Sequence, residues 1–126
     1  MEKQVINTAS APAPIGPYSQ AVQTGNLLFI SGQVALEPVT SQMVNGDITV
    51  ETSQVMRNLQ AILSAASLDF SHVVKTTIFL SDMSLFEKVN ETYNTFFKSE
   101  FPARETVAVK GLPKNANVEI SMIAAK

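Results

Sequence analysis

Residues 118–125 read Val-Glu-Ile-Ser-Met-Ile-Ala-Ala, and the architecture follows from this stretch. In a β-strand successive side chains point to opposite faces of the sheet. Val118, Ile120, Met122 and Ala124 therefore share one face, and Glu119, Ser121, Ile123 and Ala125 share the other. Both faces carry apolar groups, so both need cover. Helical cover is limited. Val55, Met56, Leu59, Ile62, Leu63 and Ala66 recur at spacings of three and four, which predicts one amphipathic helix from Thr49 to about Ser67, with Arg57, Asn58 and Gln60 on much of its other side. A second is predicted from Ser84, where Ser84 and Glu87 fit a capping box. Phe86, Val89, Tyr93, Phe96 and Phe97 continue its periodicity until Pro102 rules out extension. Two such helices cover one face of a wide sheet and leave the other open. An α+β layer architecture with the helices on one face is expected, and self-association through the open face is the simplest way to close it.

The remaining strands lie on either side of these helices. Val73–Leu80 is short and rich in β-branched residues, as a buried strand should be. Lys3–Asn7, Tyr18–Thr24 and Leu27–Ser31 read as strands, the last two forming a hairpin about Gly25-Asn26. Thr8–Pro17, with its prolines, and Glu37–Gly46 read as loops. Thr106–Lys110 completes the order β-β-β-α-β-α-β-β. If the last two strands form a hairpin about residues 113–114, Glu119 faces Ala108 and Arg104 lies about four residues further along, or ~13 Å at 3.3 Å per residue. In that geometry they do not touch. Either the connection is not a simple hairpin, or loops and a neighbouring subunit complete any site containing both.

Composition narrows the chemistry. The chain has 126 residues, the size of a single domain, and is 45% hydrophobic and 16% charged. Its net charge is −2 and its nine Lys and Arg residues are scattered, so nucleic acid is not the expected partner. Without cysteine there is no thiolate nucleophile, disulfide or sulfur-ligated metal. His72 is the single histidine and has no acidic or histidine neighbour in sequence, so it reads as a strand-end residue. Carboxylates are nowhere grouped at ligand spacing, and no metal is expected. Dinucleotide, phosphate-loop and nucleophile-elbow motifs are absent. No stretch has the length of a membrane span or the pattern of a signal peptide, and the expected location is cytoplasmic with no membrane partner.

What remains are polar residues in apolar surroundings. Arg104 follows Phe101-Pro102-Ala103, where proline fixes the approach of the chain. Alone, it is also compatible with an ordinary exposed arginine. Glu119 fits simple strand alternation, yet its face also carries Ile123 and Ala125. Tyr18 follows the stiff Pro14-Ile15-Gly16-Pro17 segment, and Ser31-Gly32-Gln33 ends the partner strand. Packing and turn formation would account for these as well.

Taken together, residues 13–21 (Ala-Pro-Ile-Gly-Pro-Tyr-Ser-Gln-Ala), 28–33 (Leu-Phe-Ile-Ser-Gly-Gln), 74–80 (Val-Lys-Thr-Thr-Ile-Phe-Leu) and 101–104 (Phe-Pro-Ala-Arg) resemble the RidA/YjgF family. Leu112-Pro113-Lys114 and Val118-Glu119-Ile120 follow at the family's spacing, so the resemblance spans nearly the whole chain, residues 1–126, as one RidA/YjgF-like domain. It implies a chorismate-mutase-like fold, one mostly antiparallel sheet with two helices on one face, and a homotrimeric barrel with clefts between subunits. It also implies cofactor-free hydrolysis of enamine/imine intermediates such as 2-aminoacrylate to 2-oxo acids and ammonia. By the same resemblance Arg104 holds the substrate carboxylate, Glu119 and Tyr18 are catalytic residues that position the water and pass protons to the departing ammonia, and Ser31, Gly32 and Asn90 line the cleft. Backbone groups near Gly32 and Thr106 would contact the amine or the water. Two positions depart from the family pattern: Glu105 stands where a small residue is usual, and Thr106 where many members have cysteine. Strand alternation puts Glu105 on the face opposite Arg104. The alternative implied by the family is a non-catalytic sensor of small 2-oxo acids such as 2-oxobutyrate in the same cleft. A ribonuclease role, also reported in the family, is disfavoured by the acidic charge.

Overall fold

The computed structural model describes residues 2–126. Six strands and two helices alternate as β1 (Gln4–Ile6), β2 (Ala21–Thr24), β3 (Leu27–Gln33), α1 (Ile48–Ala65), β4 (Val73–Leu80), α2 (Phe86–Asn94), β5 (Ala103–Ala108) and β6 (Val118–Ala125). This is the expected order. The strands form one mixed sheet in the order β1-β2-β3-β6-β4-β5. Every neighbouring pair is antiparallel except β4 and β5, which run parallel.

The last two strands are therefore not a hairpin. β6 inserts between β3 and β4, while β5 lies on the far side of β4. The alternation read in residues 118–125 holds: Val118, Ile120, Met122 and Ala124 are buried and the residues between them are half-buried. α1 and α2 lie over the buried face. Val55, Met56, Leu59, Ile62 and Leu63 of α1 are inaccessible and pack with Ile78, Leu80 and Ile120 of the sheet. Burial of each such side chain contributes about 1.5–3 kcal/mol. The opposite face has no helix, and Phe29 and Val107 on it are each 42% exposed.

Several local expectations need correction. Asn58 is not on the solvent side of α1: it is fully buried. Its Nδ2 donates to the carbonyls of Val34 (3.1 Å) and Leu36 (2.9 Å), which gives the chain leaving β3 the polar partners a ladder would otherwise supply. The Ser84–Glu87 capping box does not form. Asp82, two residues earlier, accepts from the Ser84 amide and caps a 3₁₀ turn at Met83–Leu85 that leads into α2. α2 ends at Asn94, so Phe96 and Phe97 lie beyond it and pack on Phe70, with ring centroids 5.7 and 5.4 Å away. His72 takes part in a capping box, its Nδ1 accepting from the Asp69 amide at 3.1 Å. Strand β5 begins at Ala103 rather than Thr106, which brings Arg104 into the sheet.

Asn58→Ala strands two buried carbonyls, at a cost of about 2–3 kcal/mol. Urea unfolding should show this as a lower midpoint with an unchanged slope.

Candidate active site

The sheet places the expected site residues in two groups. The first surrounds Glu119. Its β6 position pairs with Phe79 of β4, which puts the side chain on the face away from the helices. In β3 the register with β6 shifts between Ile30 and Gln33, bringing Gly32 against that carboxyl. A Cβ on Gly32 would lie 2.8 Å from Glu119 Oε2, so only glycine leaves room for the side chain as it stands. Ser31 is fixed from two sides: its amide donates to the Gln20 carbonyl at 2.9 Å, and its Oγ to the Ser19 carbonyl at 2.6 Å. Tyr18 stands 52% exposed at the edge. Gly16, at φ 128°, turns the chain so that the Tyr18 amide donates to the Gly16 carbonyl at 2.9 Å. Tyr18, Ser31, Gly32 and Glu119 share a cleft of about 470 Å³ with Pro113 and Lys114. Burial pushes the Glu119 carboxyl above its ordinary value.

The second group surrounds Arg104. Its β5 position pairs with Thr76, which in turn pairs with Met122, so Arg104 lies on the helix face of the sheet. The guanidinium carbon is 5.1 Å from the Tyr93 ring centroid and 5.8 Å from that of Phe86. The Tyr93 hydroxyl donates to Thr76 Oγ1 at 3.0 Å, which fixes the ring from below. Desolvation raises the Tyr93 hydroxyl above its ordinary value, although the Thr76 bond and the Arg104 charge oppose this. Arg104 borders a cleft of about 410 Å³ with Asn90, Tyr93, Phe101 and Pro102. Among the described residues no carboxylate pairs with Arg104. Glu105 points to the other face, as alternation requires, and is occupied there by Lys75 (3.1 Å) and Thr77 (3.3 Å).

One chain therefore unites Tyr18, Ser31, Gly32 and Glu119, and separately Arg104 and Asn90, on opposite faces of the sheet. Thr106 shares the Arg104 face, being paired with Ile78, but lines neither cleft. Its buried Oγ1 has no hydrogen-bond partner among the described residues.

Sequence reasoning missed three contributors. Gln20 is buried and anchors the proline-rich loop, accepting from the Thr8 amide at 2.7 Å and donating to the Thr8 and Pro12 carbonyls at 3.0 and 2.9 Å. Tyr93 reads only as a core position, yet its three-residue spacing from Asn90 was a signal that the two share a helix face. Glu51 is treated below. Among the described residues no three His, Asp or Glu side chains converge as metal ligands, and no helix is long and apolar enough to cross a membrane.

Residues 8–126 match the family model described as Endoribonuclease L-PSP. The chain belongs to this family, RidA/YjgF. Among its relatives, Protein DfrA of Myxococcus xanthus is 50% identical, over 98% of this chain and 96% of that protein. The 2-iminobutanoate/2-iminopropanoate deaminase of Mus musculus is 49% identical, over 98% of this chain and 92% of that protein. The crystal structure of the YjgF gene product from E. coli superposes with a TM-score of 0.93 at 41% identity, covering 98% of each chain. The α+β fold, with one mixed sheet and two helices, is thus the family's.

Because burial holds Glu119 above the ordinary carboxyl value, its ionisation costs the native state more than the unfolded chain. The stability it contributes is present at low pH and lost as pH rises through the raised pKa. Glu119→Gln removes that loss. The stability difference between variant and parent should shift in the variant's favour between pH 4 and pH 8; a pH-independent difference would refute the assignment.

Proposed function

We propose that this protein is an enamine/imine deaminase that hydrolyses short 2-imino acids, such as 2-iminopropanoate and its tautomer 2-aminoacrylate, to 2-oxo acids and ammonia. The observation that carries this reading is Arg104, a guanidinium oriented by aromatic rings and left without a carboxylate, together with a half-buried Glu119 of raised pKa in the other cleft. An anion receptor and a proton-carrying carboxyl are what such a hydrolysis requires. The relationship to the murine deaminase supports the substrate class.

In this proposal the chain acts as a homotrimer of chorismate-mutase-like domains, a barrel closed by the open sheet faces. The Arg104 half of one subunit then meets the Glu119 half of the next. Arg104 takes the substrate carboxylate in a bidentate pair, which fixes the imine carbon relative to a bound water. Glu119 orients that water, takes one of its protons as oxygen bonds to carbon, and passes it to the imine nitrogen, giving a neutral carbinolamine. Glu119 then carries the hydroxyl proton to the same nitrogen, so that the C=O bond forms as C–N breaks and ammonia leaves. Tyr18 and Ser31 border the water, and Gly32 admits the carboxyl to it. Asn90 borders the cleft on the Arg104 side, and backbone groups near Gly32 and Thr106 contact the amine or the water. Imines already react with water, so binding, orientation and proton transfer suffice without a cofactor or metal. A soluble metabolite of this kind agrees with a cytoplasmic location.

The test is the rate at which freshly generated 2-iminopropanoate disappears. Wild type should accelerate it, and Arg104→Ala should lose about 100-fold in kcat/KM while keeping the same assembly mass. A wild type of unchanged mass that binds 2-oxobutyrate but does not accelerate the loss would make the protein a sensor instead.

A further inference from the structure

The Glu119 carboxyl accepts no hydrogen bond from any described residue, so its placement depends on where β6 starts and on the walls around it. One wall is Gly32. The other is the turn carrying Pro113 and Lys114, whose Lys114 and Asn115 both adopt left-handed φ, 57° and 56°. Such a turn needs an external restraint.

That restraint comes from α1. Glu51, in the first turn of the helix, is 0% exposed. Its Oε2 accepts from the Asn117 amide at 2.7 Å and its Oε1 from Asn117 Nδ2 at 3.1 Å. Asn117 immediately precedes β6 and lies two residues from Glu119. Its remaining acceptors are also occupied: Oδ1 takes the Ser81 hydroxyl at 2.9 Å, and the carbonyl takes the Ser81 amide at 3.0 Å. Asn117 is thus held at four points, from the helix and from the end of β4. Among the described residues Glu51 has no cationic partner. Burying a carboxyl on two amide donors alone is costly, and a methylene core would avoid the cost. The position of Asn117 is what the arrangement secures.

We propose that Glu51 is a positioning residue for the Glu119 cleft: through Asn117 it fixes the start of β6 and the Pro113–Lys114 wall, and so sets where the Glu119 carboxyl meets water and substrate. The kinetic consequence rests on the deaminase reading; the geometric one does not. Glu51→Gln turns one acceptor into a donor facing the donors of Asn117, a mismatch without loss of volume. Asn117→Ala breaks the same clamp while leaving Glu51 in place.

The experiment compares both variants with wild type by kinetics on 2-iminopropanoate and by 13C NMR titration of the Glu119 carboxyl, at equal assembly mass. A loosened wall admits water, so the Glu119 titration should move about half a pH unit or more toward the ordinary carboxyl range. kcat should fall about tenfold, with KM changed less than about twofold because Arg104 lies elsewhere. An unmoved Glu119 titration overturns the proposal, as does a rate loss that merely tracks the folded fraction. Should Glu51→Gln fail to fold, Asn117→Ala decides alone. A wild type inactive on imines refutes the deaminase reading, and the titration still decides the clamp.

Discussion

The insertion of β6 between β3 and β4 determines nearly everything else in this molecule. As an interior strand with ladder partners on both sides, β6 has its register fixed twice, by Leu27–Gln33 and by Val73–Leu80. A slip of one residue would turn Ile120 and Met122 out of the core and bury Glu119 under the helices, so the hydrophobic burial of one face dictates the chemistry of the other. The same β4 fixes β5 in parallel, and Arg104 is carried to the helix side by the alternation that sends Glu105 away from it. The separation of the two polar groups is therefore a property of the sheet. Movement of a loop would not join them.

The two groups are held by different physics. Arg104 is stacked on aromatic rings, and a ring face orients a guanidinium without neutralising it. Glu105, one residue away, shows the contrast: Lys75 and Thr77 occupy it. Glu119 is governed by desolvation alone, which makes its carboxyl hold a proton more tightly than an exposed carboxyl would. One cleft thus offers an uncompensated charge and the other a reluctant one.

How much of this was legible in the sequence varies with the range of the interactions involved. β4 and β6 have the bounds their composition indicates, because their patterns are set by local alternation and by burial on one face. α1 is visible in its three- and four-residue spacing, whereas Asn58 and Glu51 within it are not. Their partners, Leu36 and Asn117, lie 22 and 66 residues away, and periodicity carries no record of them. The capping signature at Ser84 failed because Asp82, two residues earlier, takes the Ser84 amide that Glu87 would accept from in a capping box. Arg104 and Glu119 could be picked out as unusual, but their faces depend on a β4–β5 pairing that no local pattern encodes.

The anchoring of the proline-rich loop has a consequence of its own. A segment without regular structure usually exchanges its amides quickly and is an early target for proteases. Here the buried Gln20 side chain does for residues 8–12 what a neighbouring strand would do, binding backbone donor and acceptors from within. The Thr8 amide should accordingly exchange with solvent at rates typical of a sheet. A protease should find this loop, despite its composition, a poorer substrate than the exposed stretch at Val39–Gln42.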